Sequence, residues 1–213
     1  PMRSYLDEFL SLRCAPDVLE AVHPLRRPEK EISESMALIT AARSKLLEHE
    51  TRELPVGASV TAGTLLVDLC AGNALTGIIA AHLFPGVSVV AIDKRPHARN
   101  GFAKVRNFEY RQGDINLSET WTSLPDNSVV IASHACGKLS EHIAEGCEHK
   151  GFPMAIIPCC LRRSKLPDWT NGIAKEKGKY FAWLTYLAQK CGGKFRIDPK
   201  CLSPCNGVVT RGL

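Results

Sequence analysis

TLLVDLCAGNALTG, residues 64 to 77, runs from an apolar stretch into an acid, turns through small residues and leaves along a second apolar stretch. Thr64 to Cys70 has the length and branched composition of a buried strand, and Leu75 onward reads as a helix. A turn of Ala71, Gly72 and Asn73 between them lets backbone approach a ligand closely. In an open parallel sheet, ligands bind beyond the carboxyl ends of the strands, at the switch point where this turn would lie. The stretch has neither the Gly-x-Gly-x-x-Gly pattern nor the lysine of a phosphate-binding loop, so NAD and nucleoside triphosphates fit it poorly. A cofactor with a cationic centre suits Asp68 better.

On the C-terminal side of this stretch, short apolar runs alternate with helical segments. Strands are expected at about 64–70, 87–93, 108–112, 128–133, 153–158, 194–198 and 206–211, and helices near 75–83, 96–105, 138–149 and 174–190. Strand-helix alternation ending in two close strands predicts an α/β fold: a Rossmann-like, seven-stranded, doubly wound sheet, mostly parallel, with an antiparallel C-terminal hairpin. Before it, residues 4–22 read as one helix broken near Pro16 or as two short ones. A longer helix is expected from about Glu29 to His49, with Ile32, Met36, Ile39, Leu46 and Leu47 close to one face. Leu54-Pro55-Val56-Gly57 then ends an N-terminal helical cap, giving units of 1–57 and 58–213.

The 213 residues are 45% hydrophobic and 23% charged, with 16 Gly and 13 Pro, which is globular composition and excludes collagen, low-complexity disorder and coiled coil. No apolar run approaches the ~20 residues of a membrane-spanning helix, and Arg3, Asp7, Glu8 and Arg13 interrupt any signal-peptide core. The expectation is an intracellular, cytoplasmic protein without a membrane partner; its oligomeric state is not written in the pattern. Nine cysteines, an odd count, do not suit a disulfide framework in such a chain. The net charge of +5 is unevenly spread: residues 161–213 hold 11 Lys and Arg against 3 Asp and Glu, out of 27 and 22 in the whole chain.

The second and third strands end in acids as well. Asp93 follows Ile92 about 25 residues after Asp68, where a carboxylate can accept both hydroxyls of a ribose. Asp114 follows Gly113, where it can accept from an adenine amino group while Ile115 packs against the ring. Each acid alone also reads as a helix cap or turn residue. Their order and spacing together point to one site.

With these residues in place, the chain from about 60 to 213 resembles the class I S-adenosylmethionine-dependent methyltransferases. The resemblance implies S-adenosyl-L-methionine as cofactor. It implies that the turn with Asp68, Cys70, Ala71, Gly72, Asn73 and Thr76 holds the methionine part, Asp93 with Lys94 the ribose, and Asp114 with Ile115 the adenine, with His134 beside the reacting end. Ala74 departs from the pattern, since many members carry a second glycine there.

Ser133-His134-Ala135-Cys136-Gly137 should follow the fourth strand, and Pro158-Cys159-Cys160 the fifth, both facing the same pocket. The pairing resembles a branch with a His-x-Cys-Gly or His-x-Cys-Asp turn and a later Cys-Cys. That branch includes the acceptor-stem tRNA 2′-O-methyltransferase and the methyltransferase half of the glutathione-S-transferase C-terminal-domain protein. Three readings of Cys136, Cys159 and Cys160 stay open. They could be pyrimidine-attacking thiolates, metal ligands, a role open also to the Cys201-x-x-x-Cys205 pair, or soft packing in the pocket floor. No compact four-ligand spacing appears, and no metal is expected. His134 is a candidate acid-base group, or a histidine that holds its turn by hydrogen bonds.

Arg162, Arg163 and Lys165 come directly after the Cys-Cys turn, and Lys175 and Lys177 with Lys179 open the next helix, ahead of Tyr180, Phe181, Trp183 and Tyr186. Cations beside aromatic rings suit phosphates and unstacked bases, so RNA, a tRNA or rRNA, is the leading partner. The same field would draw an acidic protein or an anionic small molecule, and Phe181, Leu184 and Leu187 also read as a core face with solvated lysines. A non-catalytic cofactor-binding or thiol-metal module is the reading from another class. Lys30 and Glu31, at the start of the second long helix, are further candidates to reach the pocket.

Overall fold

The computed structural model describes residues 3–50, 64–96, 100–159 and 165–213. Three helices come first: α1 (Tyr5–Leu10), α2 (Ala15–Val22) and α3 (Pro28–Glu50). Ser4 starts α1 through a reciprocal pair of hydrogen bonds with Asp7 that satisfies free N–H groups at the helix start. The expected helix over 4–22 is therefore two helices, and Pro16 lies in the first turn of α2, where its missing N–H costs nothing.

The sheet follows: β1 (Leu65–Leu69), α4 (Leu75–Leu83), β2 (Ser88–Asp93), β3 (Phe108–Gln112), α5 (Ser118–Thr122), β4 (Ser128–Cys136), α6 (Lys138–Lys150), β5 (Met154–Cys159), α7 (Asn171–Lys177), α8 (Lys179–Lys190), β6 (Lys194–Ile197) and β7 (Gly207–Arg211). The strand order is β3-β2-β1-β4-β5-β7-β6, with β1 to β5 parallel and β7 antiparallel to both its neighbours. This is the expected doubly wound sheet with a C-terminal hairpin. The order reverses between β1 and β4, which opens a crevice at their carboxyl ends.

Strand alternation sends side chains to two cores. Leu66, Val89, Ala91, Ile131 and Ile157 face α3 and α4, with Tyr5 and Phe9 of α1 and Val18 and Val22 of α2 in the same cluster. Val67, Leu69, Val90, Val130 and Ile156 face the other side, against Ile143 of α6 and Trp183, Leu184 and Leu187 of α8. Each fully buried aliphatic side chain of this kind contributes roughly 1.5–3 kcal/mol. Among the described residues no helix is long and apolar enough to cross a membrane.

Four details differ from expectation. β4 reaches Cys136 instead of stopping at Ser133, because a bulge at His134 lets pairing with β5 resume at Ala135. The helix expected over 96–105 is a 3-10 turn at Asn100–Lys104, with 97–99 outside the described residues. The helix expected over 174–190 is broken at Gly178, whose φ of 93° no helix accommodates. The short α5 was not expected at all; its Trp121 is buried and packs beside α6.

Candidate functional site

A cavity of about 770 Å³ lies at the carboxyl ends of β1 to β4. Of the residues expected at a cofactor site, Cys70, Ala71, Gly72 and Asn73 line it after β1, Asp93 and Lys94 at the end of β2, Asp114 and Ile115 after β3, and His134 from β4. Cys136 joins them. Asp68 and Thr76 lie behind the wall.

The turn after β1 is built from left-handed backbone at alternate positions: Cys70 at φ 57°, Gly72 at 57° and Ala74 at 61°. A Cβ on Gly72 would meet only the end of Arg95 at 3.5 Å, so the backbone angle rather than space calls for glycine there. Ala74 takes the left-handed angle without being glycine. Such an angle costs an L-residue about 1–2 kcal/mol, and the buried start of α4 holds it in place. Asp68 accepts from the Gly77 N–H at 3.0 Å, pinning that first turn of α4 to β1. Its carboxyl has no solvent exposure; burial, helped by the charge of Asp93, pushes it up to about 7. Thr76 joins a chain of hydroxyls, 2.9 Å from Ser35 Oγ and 3.3 Å from Ser133 Oγ, that ties α3, α4 and β4 together.

Asp93 and Asp114 each accept from backbone and from an exposed cationic side chain. Asp93 accepts from the Gly72 N–H through Oδ2 at 2.9 Å, and from the Arg95 N–H and guanidinium through Oδ1 at 2.9 and 3.2 Å. Burial opposes its ionisation, but these donors outweigh burial and hold the carboxyl below its ordinary value. Asp114 pairs with Lys94 at 2.9 Å and accepts from Asn116; the Lys94 ammonium first, then the Asn116 N–H, bring its carboxyl down to about 2. The side chains of Lys94 and Arg95 are 77% and 76% exposed, so either can swing away from its carboxylate.

His134 is the extra residue of the β4 bulge, at φ 62°. Its Nε2 lies 2.8 Å from Oε2 of Glu34, a buried residue of α3 that the motifs of the sequence do not include. The available signal was the polar run Ser33-Glu34-Ser35 interrupting an apolar helix face between Ile32 and Met36. Burial opposes the charge of Glu34, yet its contacts with His134, Ser203 and Lys30 keep the carboxyl below its usual value. Of the suspects at the start of α3, Lys30 pairs with Glu34 at 3.0 Å, and Glu31 lines the cavity and accepts from Asn73 at 2.9 Å. Pro24, Arg26 and Ser35 also line it and had no distinctive sequence signal.

Cys136 and Cys159 are register partners on β4 and β5, with their sulfurs 2.8 Å apart. Cys70 is held as a thiol, because burial and then the charges of Asp93 and Asp68 push it up to about 12. Among the described residues no group of three or more His, Cys, Asp or Glu side chains could hold a metal ion. Cys160, Arg162 and Arg163 lie outside the described residues. Lys165, Lys175 and Lys177 are exposed. Of the aromatic residues expected beside them, Trp183 is fully buried, while Phe181, packed edge-on against Phe195, Tyr180, whose hydroxyl accepts from the Gly207 N–H, and Tyr186 are half-buried. Trp169, which carries no motif in the sequence, is the aromatic left 49% exposed near these lysines in the chain.

No family model matches the chain. Over an alignment of 105 positions that covers 46% of the chain, it is 25% identical to the glutathione S-transferase C-terminal domain-containing proteins of Homo sapiens and Bos taurus, and the match spans only 16% of each relative's length. Similar solved structures include the antibiotic-resistance methyltransferase Kmr, with 12% identity, 80% of this chain and 91% of that one covered, and a TM-score of 0.42. Human N-acetylserotonin methyltransferase in complex with SAM is similar at 13% identity, 98% and 70% coverage and a TM-score of 0.43. A fibrillarin/Nop5p complex is similar at 13% identity, 78% and 77% coverage and a TM-score of 0.44.

Proposed function

We propose that this chain is an S-adenosyl-L-methionine-dependent methyltransferase acting on RNA, a tRNA or rRNA. The observation that carries the reading is one cavity at the switch point of the sheet, gathering a left-handed turn after β1 and a carboxylate after each of β2 and β3. Its size lies in the range of small-molecule and cofactor sites. The donor set fits the cofactor. Asp93 would accept the ribose hydroxyls once Arg95 swings aside, and Asp114 would accept the adenine amino group in place of Lys94, over Ile115. The turn Cys70 to Asn73 would take the methionine end, with Asp68 and Thr76 fixing the turn from behind. When bound, the cofactor supplies a methyl group on a sulfonium centre, electrophilic without further activation.

The protein's own work is then to bind, align and exclude water. His134 and Cys136 border the far end of the cavity, with Cys159 beside them and Cys160 next in the chain. The N-terminal unit of 1–57 supplies a wall through Pro24, Arg26, Glu31 and Ser35, and the sheet unit of 58–213 supplies the rest. Lys165, Lys175 and Lys177, with Arg162 and Arg163 and the exposed Trp169, supply charge and one ring for a polyanion with exposed bases. Such a substrate would place the activity inside the cell.

The test is transfer of labelled methyl from S-adenosylmethionine to separated RNA, protein and small-molecule fractions, with cofactor affinity measured by calorimetry. Label in RNA that Asp93→Ala abolishes, together with at least a tenfold loss of affinity, is expected. Label confined to protein or small molecules would overturn the RNA substrate, and absence of cofactor binding would overturn the enzyme.

A further inference from the structure

His134 and Glu34 meet at a contact that cofactor binding alone does not require. Glu34 has no solvent exposure, and enclosing a carboxylate is costly unless each of its oxygens is paired. Here each is. Oε2 faces His134 Nε2 at 2.8 Å, Lys30 Nζ sits 3.0 Å from Oε1 and 3.1 Å from Oε2, and the Ser203 hydroxyl donates to Oε1. A leucine or methionine would fill the position without that cost. His134 adds a second cost, a left-handed backbone angle in a strand bulge, of the kind that persists where surrounding structure enforces it. Both costs fall on the one contact that orients this imidazole.

The orientation has a chemical consequence. An acceptor-only carboxylate at Nε2 calls for the proton on that nitrogen, which leaves the lone pair on Nδ1. Nδ1 faces Lys30 Nζ at 3.4 Å, a long contact that an incoming group can replace. The residue itself borders the cavity on β4, across β1 from Asp93 and Asp114 in the strand order.

We propose that the methyl acceptor is a hydroxyl group whose proton is taken by Nδ1 of His134, and that Glu34 is the positioning residue that sets the imidazole for this task. The proposal rests on the methyltransferase reading. The O–H bond breaks as the oxygen gains the methyl carbon; the proton passes to Nδ1, and the pair of the methyl–sulfur bond stays on sulfur. The resulting imidazolium keeps its Nε2–H on the Glu34 carboxylate, which stabilises the charge that has appeared. An acceptor that is already a good nucleophile, such as a ring nitrogen with a free lone pair, would need no such base. A pyrimidine carbon would call for a thiolate instead.

The experiment uses the full chain labelled with ¹⁵N-histidine. Long-range ¹H–¹⁵N correlation spectra, assigned by the signal lost in His134→Asn, report which ring nitrogen of His134 carries the proton. The expected result is protonated Nε2 and bare Nδ1. In Glu34→Gln the side-chain amide can donate to Nε2, so the fixed tautomer should be lost, with cofactor affinity by calorimetry within about twofold of the parent. Methyl transfer to total RNA should fall about 10²-fold in kcat with KM little changed, as for loss of a general base. Nucleoside mass spectrometry should find the parent's product methylated on oxygen. A proton on Nδ1 in the parent chain, full transfer activity in Glu34→Gln, or a product methylated on carbon or nitrogen would each overturn the proposal. Because the parent chain's tautomer needs no variant, a Glu34→Gln chain that fails to fold still leaves that result decisive. Failure of the parent to bind S-adenosylmethionine would sink the methyltransferase reading, and the proposal with it, while the tautomer is read separately.

Discussion

Asp68 and Glu34 are both buried acids, and their surroundings push them in opposite directions. Glu34 has an imidazole, an ammonium and a hydroxyl around it and stays ionised. Asp68 has the Gly77 N–H on Oδ2, no hydrogen-bond partner for Oδ1 among the described residues, and a carboxyl raised from 3.8 to about 7, mainly by burial. For an acid raised on folding, the stabilising contribution is whole below the unfolded value and is lost as pH rises through the folded one. Asp68 should therefore cost stability progressively between about pH 4 and about pH 7. Asp68→Asn keeps a carbonyl for Gly77 and should remove this slope. Denaturant unfolding near pH 8 should find the variant more stable by up to ~4 kcal/mol, since each tenfold change in proton affinity is worth ~1.4 kcal/mol, and the advantage should vanish near pH 4. An unchanged pH slope in the variant would show that Asp68 is ionised in the fold. Asp68 and Asp93 were legible because each lies at the end of an apolar strand, and Asp114 because it follows the Gly113 turn after the third. Glu34 was not, because its meaning lies in a histidine one hundred positions away.

Packing of secondary-structure elements sets the floor of the cavity. The Trp121 indole of α5 donates to the Ile115 carbonyl at 2.8 Å, and Ile115 lines the cavity. The indole fits there because Gly146 of α6 has no side chain; a Cβ at that position would meet the ring at 2.5 Å. Gly146→Ala should improve helix propensity slightly yet destabilise the protein by roughly 1–3 kcal/mol through overpacking. The displaced indole should also weaken cofactor binding, so thermal unfolding and calorimetry are expected to move together. A variant as stable as the parent would mean that the contact relaxes freely. Gly146 reads in the sequence as an unfavourable residue inside a helix, and only the ring beside it gives the reason. The same holds for β4, whose bulge and left-handed His134 no alternation of apolar residues announces.

At the scale of the molecule, the N-terminal helices are fastened to the far edge of the sheet by the β6–β7 connection. The Tyr5 hydroxyl donates to buried Asp198 at 2.8 Å, Lys200 pairs with Glu8, Ser33 Oγ accepts from the Leu202 N–H at 2.7 Å, and Ser203 reaches Glu34. With Tyr5, Phe9 and Val18 in the same apolar cluster as Leu66 and Ile131, these helices and the sheet should unfold together. A single calorimetric transition is expected. Tyr5→Phe should lower stability by roughly 1–3 kcal/mol without splitting that transition, since Asp198 loses one donor and keeps Arg196 and the Lys200 N–H. Two resolved transitions would instead make the N-terminal helices a separately folding unit.

Local pattern is enough to specify the doubly wound sheet, its C-terminal hairpin and the acids at the strand ends. These are written locally: apolar runs of strand length, small-residue turns and acids at fixed distances from them. The tertiary structure alone decided which acids line the cavity and which, like Asp68, lie behind it. It also decided that Trp183 of α8 lies in the core and that α3 brings Glu34 and Lys30 onto His134. Those outcomes depend on contacts between segments far apart in the chain, and one-dimensional periodicity specifies which face of a helix is buried, not which residue of another element it meets.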